Sequence, residues 1–327
     1  MNGLINLGNT CYMNSIIQCI SHLDFLSYDN TDLLTNCGKT VHCNDFELMR
    51  SWLKLDKSLK ISKTGRINPN DFYQTFIEKL QKNNYYFVGF DQNDAGEFMT
   101  IFFDLLHKTI EHKIRLEISG TIKNKRDKIA VDSIRDWRRF FEDKYSYIVS
   151  STYSQLLNIT SCNECDYMTT NHDPIQIITL HLKPHSSTIY DLLNDYVKLE
   201  QLDDWKCDRC KRSVKPEKKC VFWNLSDILI FQLKTYTSSL QKITRHIDFP
   251  TVLKMNRFCM NYEESSMTYE LCGICIQMGT LNGGHYIAIC KDGNDWNVYN
   301  DTSVFKTTES DMLKKNPYCL FYRRITP

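Results

Sequence analysis

Three groups of residues in this sequence could carry out chemistry, and the first is a cysteine near the N-terminus. Cys11 follows a short loop that contains Gly3 and Gly8. Apolar residues then recur at helical spacing, at Met13, Ile16, Ile17 and Ile20. Free N–H groups at a helix start lower a thiol pKa from about 8.5 toward about 3.5–7.5. We therefore predict a nucleophilic thiol, and a buried core cysteine is the alternative.

The second group is a histidine followed by an amide and a carboxylate. Residues 279–290 and 295–301 are typical of two strands joined by a turn. His285 opens the first strand and Asn300 and Asp301 close the second, so an antiparallel hairpin would bring them side by side. Asn300 or Asp301 would accept the Nδ1–H of His285, which would turn Nε2 toward the thiol as its base.

The third group consists of two Cys-x-x-Cys pairs in polar, turn-like surroundings. They are Cys162 with Cys165 and Cys207 with Cys210. Each pair can bind one edge of a metal ion, and four thiolates complete a closed tetrahedral shell. We predict one Zn²⁺ ion with a structural role, because a closed shell leaves no position for water.

Two further cysteine groups are weaker signals. Cys37, His42 and Cys43 lie close together, but their spacing is irregular and no fourth ligand is evident. Cys272 and Cys275 lie in an apolar, strand-like run. Residues three apart in a strand face opposite sides, so we predict that both are core residues.

The elements that must position these groups are helices in the first half and strands in the second. We predict a loop over 24–45, helices over 46–58, from Asn68-Pro69, over 90–107 and over 137–147, and an exposed excursion over 113–136 without assigned function. Strands predominate from about residue 150. The exception is a short helix over 188–197 that Thr188 and Asp191 would cap.

The helix over 90–107 carries two carboxylates, Asp94 and Glu97, on one face of its first turns. One interpretation is that they complement the helix dipole. The other is an acidic patch that receives a basic ligand segment. The pattern alone leaves both open.

Composition narrows the class of protein. The 327 residues are 42% hydrophobic, and 40 Lys and Arg against 39 Asp and Glu give a formal charge of +1. This is not the basic footprint of a nucleic-acid binder, and no stretch reaches the ~20 apolar residues that cross a membrane. With no signal peptide evident, we expect an intracellular protein, cytoplasmic and/or nuclear, whose 14 cysteines are thiols or metal ligands.

These motifs resemble those of the ubiquitin-specific proteases, a family of deubiquitinating cysteine proteases. The cysteine box of that family resembles Gly3-Leu-x-Asn-x-Gly-Asn-Thr-Cys-Tyr-Met-Asn-Ser15. Its helix motif resembles Gln92-x-Asp-Ala-x-Glu-Phe98, and its histidine box resembles Gly284-His-Tyr286 with Trp296 and Tyr299-Asn-Asp301. The terminal strand resembles Leu320-Phe-Tyr322, so the resemblance covers almost the whole chain.

The resemblance implies an α+β fold of the papain-like cysteine protease class, as a single catalytic domain over residues 1–327. It has a helical thumb (about 1–149), zinc-tipped β fingers (about 150–235) and a β-sheet palm (about 236–327). With the cysteine box starting three residues from the N-terminus, we expect a near-minimal catalytic core without a separate targeting domain.

The resemblance also implies a role for each matching residue of the reaction site. Cys11 is the nucleophile, His285 the general base and Asn300 the third triad residue. Asp301 is the adjacent acidic residue, and the amide of Asn6 donates to the oxyanion. Such a donor lowers the barrier by roughly 3–4 kcal/mol.

The implied substrate residues lie on both sides of the cleft. Asp94 and Glu97 match positions that contact arginines near the ubiquitin C-terminus. Gly283, Gly284 and Tyr286 border the channel for its Gly-Gly tail. Three positions depart from the family pattern, namely Asn93, Thr235 and Gln277.

The function implied is thiol-dependent hydrolysis of peptide and isopeptide bonds after the C-terminal glycine of ubiquitin. The partners are then ubiquitin and ubiquitinated proteins, with no nucleic acid and no membrane. Two alternatives remain open. One is a protease for another modifier with a Gly-Gly tail, which the departures at Asn93 and Thr235 motivate. The other is a ubiquitin-binding module without turnover.

Overall fold

The structure is a computed structural model, and it describes residues 2–38, 46–85, 93–237, 239, 241–260, 267–279 and 284–325. The helices in these ranges are α1 (Cys11–Ser21), α2 (Thr31–Gly38), α3 (Glu47–Ile61), α4 (Asn70–Lys82), α5 (Ala95–Ile110), α6 (Lys125–Phe141), α7 (Tyr147–Thr152), α8 (Ile189–Tyr196) and α9 (Glu309–Leu313). Each of these helices falls short of the length and apolarity that a membrane crossing requires.

The strands alternate with these helices and dominate the second half. They are β1 (Gly3–Leu4), β2 (Arg66–Ile67), β3 (Ser154–Ser161), β4 (Met168–Ile175), β5 (Ile177–His181), β6 (Glu200–Gln201), β7 (Trp205–Lys206), β8 (Ser213–Val214), β9 (Glu217–Asn224), β10 (Ile228–Lys234), β11 (Val252–Lys254), β12 (Thr268–Gly279), β13 (Gly284–Asp292), β14 (Asp295–Asn300), β15 (Ser303–Thr307) and β16 (Cys319–Arg324). The α+β class is confirmed.

Several predicted helices are confirmed, with shifted bounds. α3 covers the predicted helix over 46–58, and α5 covers most of that over 90–107, although residues 90–92 lie outside the described ranges. α4 begins at Asn70 with Pro69 as its N-cap, one residue later than the predicted Asn68 cap and Pro69 start. Asn68 Oδ1 accepts a hydrogen bond from the N–H of Asn70. Thr188 and Asp191 cap α8 reciprocally, as predicted.

Two predictions of irregular structure are wrong. The predicted loop over 24–45 contains α2, and the predicted excursion over 113–136 contains most of α6. α6 escaped detection because it is highly charged and buries only three of its residues. Its cap is clear, since Asn124 Oδ1 accepts from the N–H of Asp127.

The large sheet, which we call the palm sheet, has the strand order β15-β14-β13-β12-β16-β10-β5, with β11 also paired to β12. One face packs against α1, α3, α4 and α5 in the larger apolar cluster. The other face packs against α8 and α9 in a second cluster. α1 lies between the helices and the palm sheet, and every residue of α1 is buried.

The second sheet, which we call the finger sheet, has the order β4-β3-β9-β6. α6 covers one face through Ile129 and Ala130, which pack on Leu157 and Trp223. The small β7–β8 hairpin continues beyond it.

The Cys272 and Cys275 prediction is half right. Both are core residues, 3% and 0% exposed, as predicted. They do not face opposite sides, because a bulge between Leu271 and Gly273 shifts the strand by one residue and brings both into the larger cluster.

Candidate active site

Cys11 is the first residue of α1 and is only 4% exposed. Burial raises the pKa of its thiol above the ordinary value, although backbone N–H groups of Tyr286, Tyr12 and Cys11 itself partly offset this effect. The prediction of a lowered pKa is therefore wrong. The N–H groups are present as predicted, but the loss of water around the thiol outweighs them.

The predicted hairpin that carries the histidine is confirmed. β13 and β14 pair antiparallel, and Nε2 of His285 lies 2.6 Å from Oδ1 of Asn300. An amide oxygen only accepts, so Nε2 carries the proton and Nδ1 has the free lone pair. The backbone N–H of Tyr286, the next residue, acts on the thiol of Cys11 and lowers its pKa. The histidine strand therefore begins beside the nucleophile.

The predicted roles of the two ring nitrogens are reversed. Ala288 pairs with Tyr299, which puts Asn300 diagonal to His285 across the two strands. Diagonal neighbours have Cα atoms about 7–8 Å apart. Nε2, at the far end of the ring, makes the contact with Asn300, and Nδ1 remains available to accept the thiol proton.

Asp301 does not share the histidine with Asn300. Its Oδ2 accepts from Asn6 Nδ2 at 2.9 Å and its Oδ1 from Asn14 Nδ2 at 2.8 Å. Its backbone has φ of 50°, a left-handed conformation that is uncommon outside glycine. This turn after β14 directs the carboxylate toward α1 and the N-terminal loop.

The N-terminal strand is held against the same turn. The N–H of Leu4 donates to the carbonyl of Asp301 at 2.9 Å. A Cβ atom at Gly3 would lie 2.4 Å from that carbonyl oxygen, so only glycine permits this approach. The loop that leads to Cys11 is thereby fixed to the palm sheet.

The side chain of Asn6 is exposed but held in one orientation. Its Oδ1 accepts from the N–H of Gly8 at 3.0 Å and from the N–H and hydroxyl of Thr10 at 3.1 and 3.2 Å. Asp301 takes one of the two Nδ2 hydrogens. The second N–H can then donate to a ligand oxygen near Cys11 without a change of rotamer.

The acidic pair on α5 has two different roles in this structure. Asp94 is the N-cap, and its Oδ1 accepts from the N–H of Glu97 at 3.0 Å. Tyr318 donates its hydroxyl to Oδ2 of Asp94 and accepts from Gln232 Nε2 at 2.6 Å. Asp94 therefore caps α5, which agrees with the dipole interpretation, and it also contacts the palm sheet through Tyr318. The side chain of Glu97 is exposed.

Two of the three predicted channel residues, Gly284 and Tyr286, lie at the start of β13, and Gly283 lies outside the described residues. Gly284 pairs with Gly279, the last residue of β12. The half-buried ring of Tyr286 packs edge-on against Tyr318, with centroids 5.8 Å apart. The side chain of Tyr286 therefore supports the hairpin, and its backbone faces the thiol.

Sequence reasoning missed Asn14 and Tyr318 as parts of this site. Asn14 is buried one helical turn after Cys11, and a polar residue at that spacing within an apolar helix is a usable signal. Tyr318 gives no such signal, since its contact with Asp94 joins residues 224 positions apart.

The four predicted metal ligands come together at the tip of the finger sheet. The Sγ atoms of Cys162, Cys165, Cys207 and Cys210 all lie within 4.8 Å of one another. The 162–210 and 165–207 separations are both 3.8 Å, and the 165–210 separation is 3.4 Å. A tetrahedron with Zn–S bonds of about 2.3 Å has edges of about 3.8 Å.

The backbone around this cluster, which we call the finger knuckle, suits thiolate ligands. The N–H of Glu164 donates to Cys162 Sγ and the N–H of Cys210 to Cys207 Sγ, both at 3.4 Å. The donor set therefore fits a tetrahedral metal ion. The weaker group at Cys37, His42 and Cys43 lies outside the described side chains.

Comparison with known proteins agrees with this geometry. A family described as ubiquitin carboxyl-terminal hydrolase matches residues 2–322. The chain belongs to this family.

Ubiquitin carboxyl-terminal hydrolase 2 of Bos taurus is 30% identical over 354 aligned residues, which cover 99% of this chain and 55% of that protein. Ubiquitin carboxyl-terminal hydrolase 8 of Saccharomyces cerevisiae is 29% identical, covering 98% of this chain and 70% of that protein. The chain thus spans about half the length of the first relative.

The fold is also that of a solved deubiquitinase. The structure of the SAGA Ubp8/Sgf11/Sus1/Sgf73 DUB module bound to ubiquitin aldehyde is similar with a TM-score of 0.74 and 26% identity. The match covers all of this chain and 70% of that one. The expected fold of thumb, palm and fingers is confirmed by this match.

Proposed function

We propose that this chain is a deubiquitinase, a thiol protease that hydrolyses the bond after the C-terminal glycine of ubiquitin. The observation that carries the proposal is the 2.6 Å contact between His285 Nε2 and Asn300 Oδ1, on a strand that packs against the helix that Cys11 begins. This is the arrangement of a nucleophile, its base and an orienting amide. Family membership supports the same chemistry.

The reaction follows from the atoms available. Nδ1 of His285 removes the thiol proton of Cys11 as the sulfur attacks the carbonyl carbon of the terminal glycine. The oxyanion of the tetrahedral intermediate accepts from the second N–H of Asn6 and from N–H groups at the start of α1. The C–N bond then breaks, and His285 gives its proton to the leaving amine. Water hydrolyses the thioester by the same steps and frees the thiol.

The raised pKa of Cys11 gives this mechanism a specific form. A buried thiol is mostly protonated at neutral pH, so it is a weak nucleophile until the imidazole takes its proton. Proton transfer and attack are therefore coupled through His285. We propose that Asp301 contributes differently, by holding the amide of Asn6 at the oxyanion.

Ubiquitin and ubiquitinated proteins are the proposed partners. The similar DUB module is bound to ubiquitin aldehyde, which supports ubiquitin as the substrate. We propose that exposed Glu97, with Asp94 beside it, offers negative charge to arginines of the ubiquitin tail, and that Gly284 and Tyr286 border the tail channel. Gly283, which lies outside the described residues, is assigned to this channel by the resemblance alone. We also propose one catalytic domain with thumb, fingers and palm at about 1–149, 150–235 and 236–327, in the cytoplasm and/or nucleus.

The finger knuckle is proposed to bind one Zn²⁺ ion through its four cysteines. The tetrahedral spacing of the sulfur atoms supports this choice. When bound, the ion supplies cross-linking of the two Cys-x-x-Cys turns and no catalysis. The sulfur atoms of both turns then hold the tip of the finger sheet.

The test is hydrolysis of a fluorogenic C-terminal amide of ubiquitin, beside the same amides of other modifiers with Gly-Gly tails. We expect turnover of the ubiquitin amide that Cys11→Ala abolishes and that Cys220→Ser, a finger-sheet cysteine outside the knuckle, retains. If only the amide of another modifier were hydrolysed, that modifier and not ubiquitin would be the substrate. Tight ubiquitin binding with no turnover would favour the non-catalytic alternative.

A further inference from the structure

The end of β12 extends beyond its neighbour in the palm sheet. β16 pairs with β12 as far as Cys275, whose carbonyl accepts from the N–H of Tyr318 at 2.7 Å. β12 then runs on to Gly279, paired to β13 alone. Carbonyls two residues apart on a strand point to the same side. Those of Gln277 and Gly279 therefore face the side where β16 is missing.

The ammonium group of Lys242 occupies that side. Its Nζ donates to the carbonyl of Gln277 at 3.0 Å, to Oε1 of Gln277 at 2.6 Å and to the carbonyl of Gly279 at 2.8 Å. An ammonium group has three N–H donors, so these contacts use all of them. One lysine side chain thus donates the hydrogen bonds that a neighbouring strand would otherwise make to these two carbonyls.

Lys242 reaches this position because the chain after β10 folds back on itself. The N–H of Thr237 donates to the carbonyl of Gln241 at 3.0 Å, and that of Ile243 to the carbonyl of Thr235 at 2.7 Å. Tyr236 pairs with Lys242 and donates its hydroxyl to Oε1 of Gln277 at 3.3 Å. We call residues 235–237 and 241–243 the Lys242 strap.

The electrostatics of the strap differ from those of a surface ion pair. All three acceptors of Lys242 are neutral oxygens, and burial lowers its pKa. Partly burying a charge against neutral groups is costly unless its hydrogen bonds are made. The strap is therefore a directed contact that depends on all three bonds.

The strap contacts β12, the strand that pairs with β13 on the side opposite to β14. Gln277 lies opposite Tyr286, Met278 opposite His285, and Gly279 opposite Gly284. His285 is held independently from the other side by Asn300. Loss of the strap would therefore release the end of β12 opposite His285, while Asn300 would still hold the His285 ring.

We propose that Lys242 is a positioning residue for substrate binding in the deubiquitinase proposed above. It fixes Gln277 and Gly279 at the end of β12, opposite Tyr286 and Gly284 at the start of β13, where the substrate tail must pass His285. The inference rests on the proposed function. It also explains one departure from the family pattern, since Gln277 supplies the side-chain acceptor of the strap.

The test compares Lys242→Met with Lys242→Arg, which retains a cation and donors, and with Gln277→Leu, which removes the side-chain acceptor. Lys306→Met is the matched control, because Lys306 makes an exposed ion pair with Asp295 on the same sheet. We expect Lys242→Met to raise KM for the ubiquitin amide by about 10-fold with a smaller change in kcat. Lys242→Arg and Gln277→Leu should lie between it and the wild type, and Lys306→Met should match the wild type.

Two further measurements test the role of Lys242 separately from the proposed deubiquitinase function. Alkylation of Cys11 by iodoacetamide should be equal in the wild type and Lys242→Met, which reports an intact fold around the thiol. Amide hydrogen exchange over residues 276–287 should be faster in Lys242→Met, and this readout needs no activity. An inactive wild type would refute the proposed function alone. A wild-type KM in Lys242→Met, unchanged exchange, or a loss confined to kcat would overturn the role of Lys242.

Discussion

The candidate active site and the finger knuckle both depend on cysteine sulfur, but they differ in the number of sulfur atoms and in their surroundings. At the active site one thiol lies at the edge of the largest apolar cluster, and burial raises its pKa. At the finger knuckle four sulfur atoms lie close together, with Val214 as their buried aliphatic neighbour. A nucleophile needs a single thiol and a base, whereas a metal site needs several thiols that share one ion.

The two sites are also held together differently. The knuckle is assembled from two local turns whose N–H groups point at sulfur. The active site is assembled across the chain, and the bond between Asn6 and Asp301 joins residues 295 positions apart. Damage at the knuckle should therefore affect stability, and damage at the active site should affect rate.

The largest expected effect is loss of the base. His285→Ala should lower kcat/KM for the ubiquitin amide by roughly 10³-fold or more, because the buried thiol then has no acceptor for its proton. Asn300→Ala should cost less, since it removes only the partner that orients Nε2. Comparable activity of His285→Ala and the wild type in steady-state assays would contradict the assignment. Melting temperatures of both variants should stay near that of the wild type.

The next effect concerns the oxyanion. Asn6→Ala should lower kcat by roughly 10²-fold with little change in KM, because the donor acts only on the transition state. Asp301→Ala should give part of this loss, and the double variant should be no worse than Asn6→Ala. Asn158→Ala, a finger-sheet amide that bonds to Asp173 at 2.8 Å, is the control. Additive losses from Asn6→Ala and Asp301→Ala would show that Asp301 acts by another route.

A stability effect is expected at the finger knuckle. Cys207→Ser should release the metal and destabilise the protein by more than about 2 kcal/mol, since a structural ion contributes directly to folding. Cys220→Ser should retain the metal. The measurements are elemental analysis and chemical unfolding, with iodoacetamide labelling of Cys11 expected to be unchanged. A wild-type protein without zinc, or a Cys207→Ser variant that keeps it, would contradict zinc binding by the four knuckle cysteines.

The smallest effect is a pH dependence of the free thiol. The pKa of Cys11 is raised, so less thiolate is present at any given pH and alkylation by iodoacetamide should still be increasing above pH ~8.5. The rate is measured from pH 6 to 10 in wild type, with Cys11→Ala as the background. A plateau below pH ~8 would indicate a thiolate already stabilised in the free protein.

What the sequence could predict depends on how local the determinants are. The hairpin that joins His285 to Asn300 was predictable because one turn of a few residues sets its pairing. The same holds for the two Cys-x-x-Cys turns. The roles of the ring nitrogens were not predictable, because the hairpin pattern does not fix which way the His285 ring is turned toward Asn300.

Effects that arise from contacts between distant segments could not be predicted from the sequence. The raised pKa of Cys11 comes from burial under helices and strands from both halves of the chain. α6 was missed because it is highly charged, and its apolar partners Leu157 and Trp223 lie on strands later in the chain. Lys242 gives no signal in the sequence, since its role depends on where β16 ends.

The most direct test of the central claim is reaction with a ubiquitin probe that carries a C-terminal electrophile, followed by mass mapping of the adduct. The account predicts a single covalent adduct on Cys11, lost in Cys11→Ala. An adduct on another cysteine, or none with a folded and metal-loaded wild type, would contradict it.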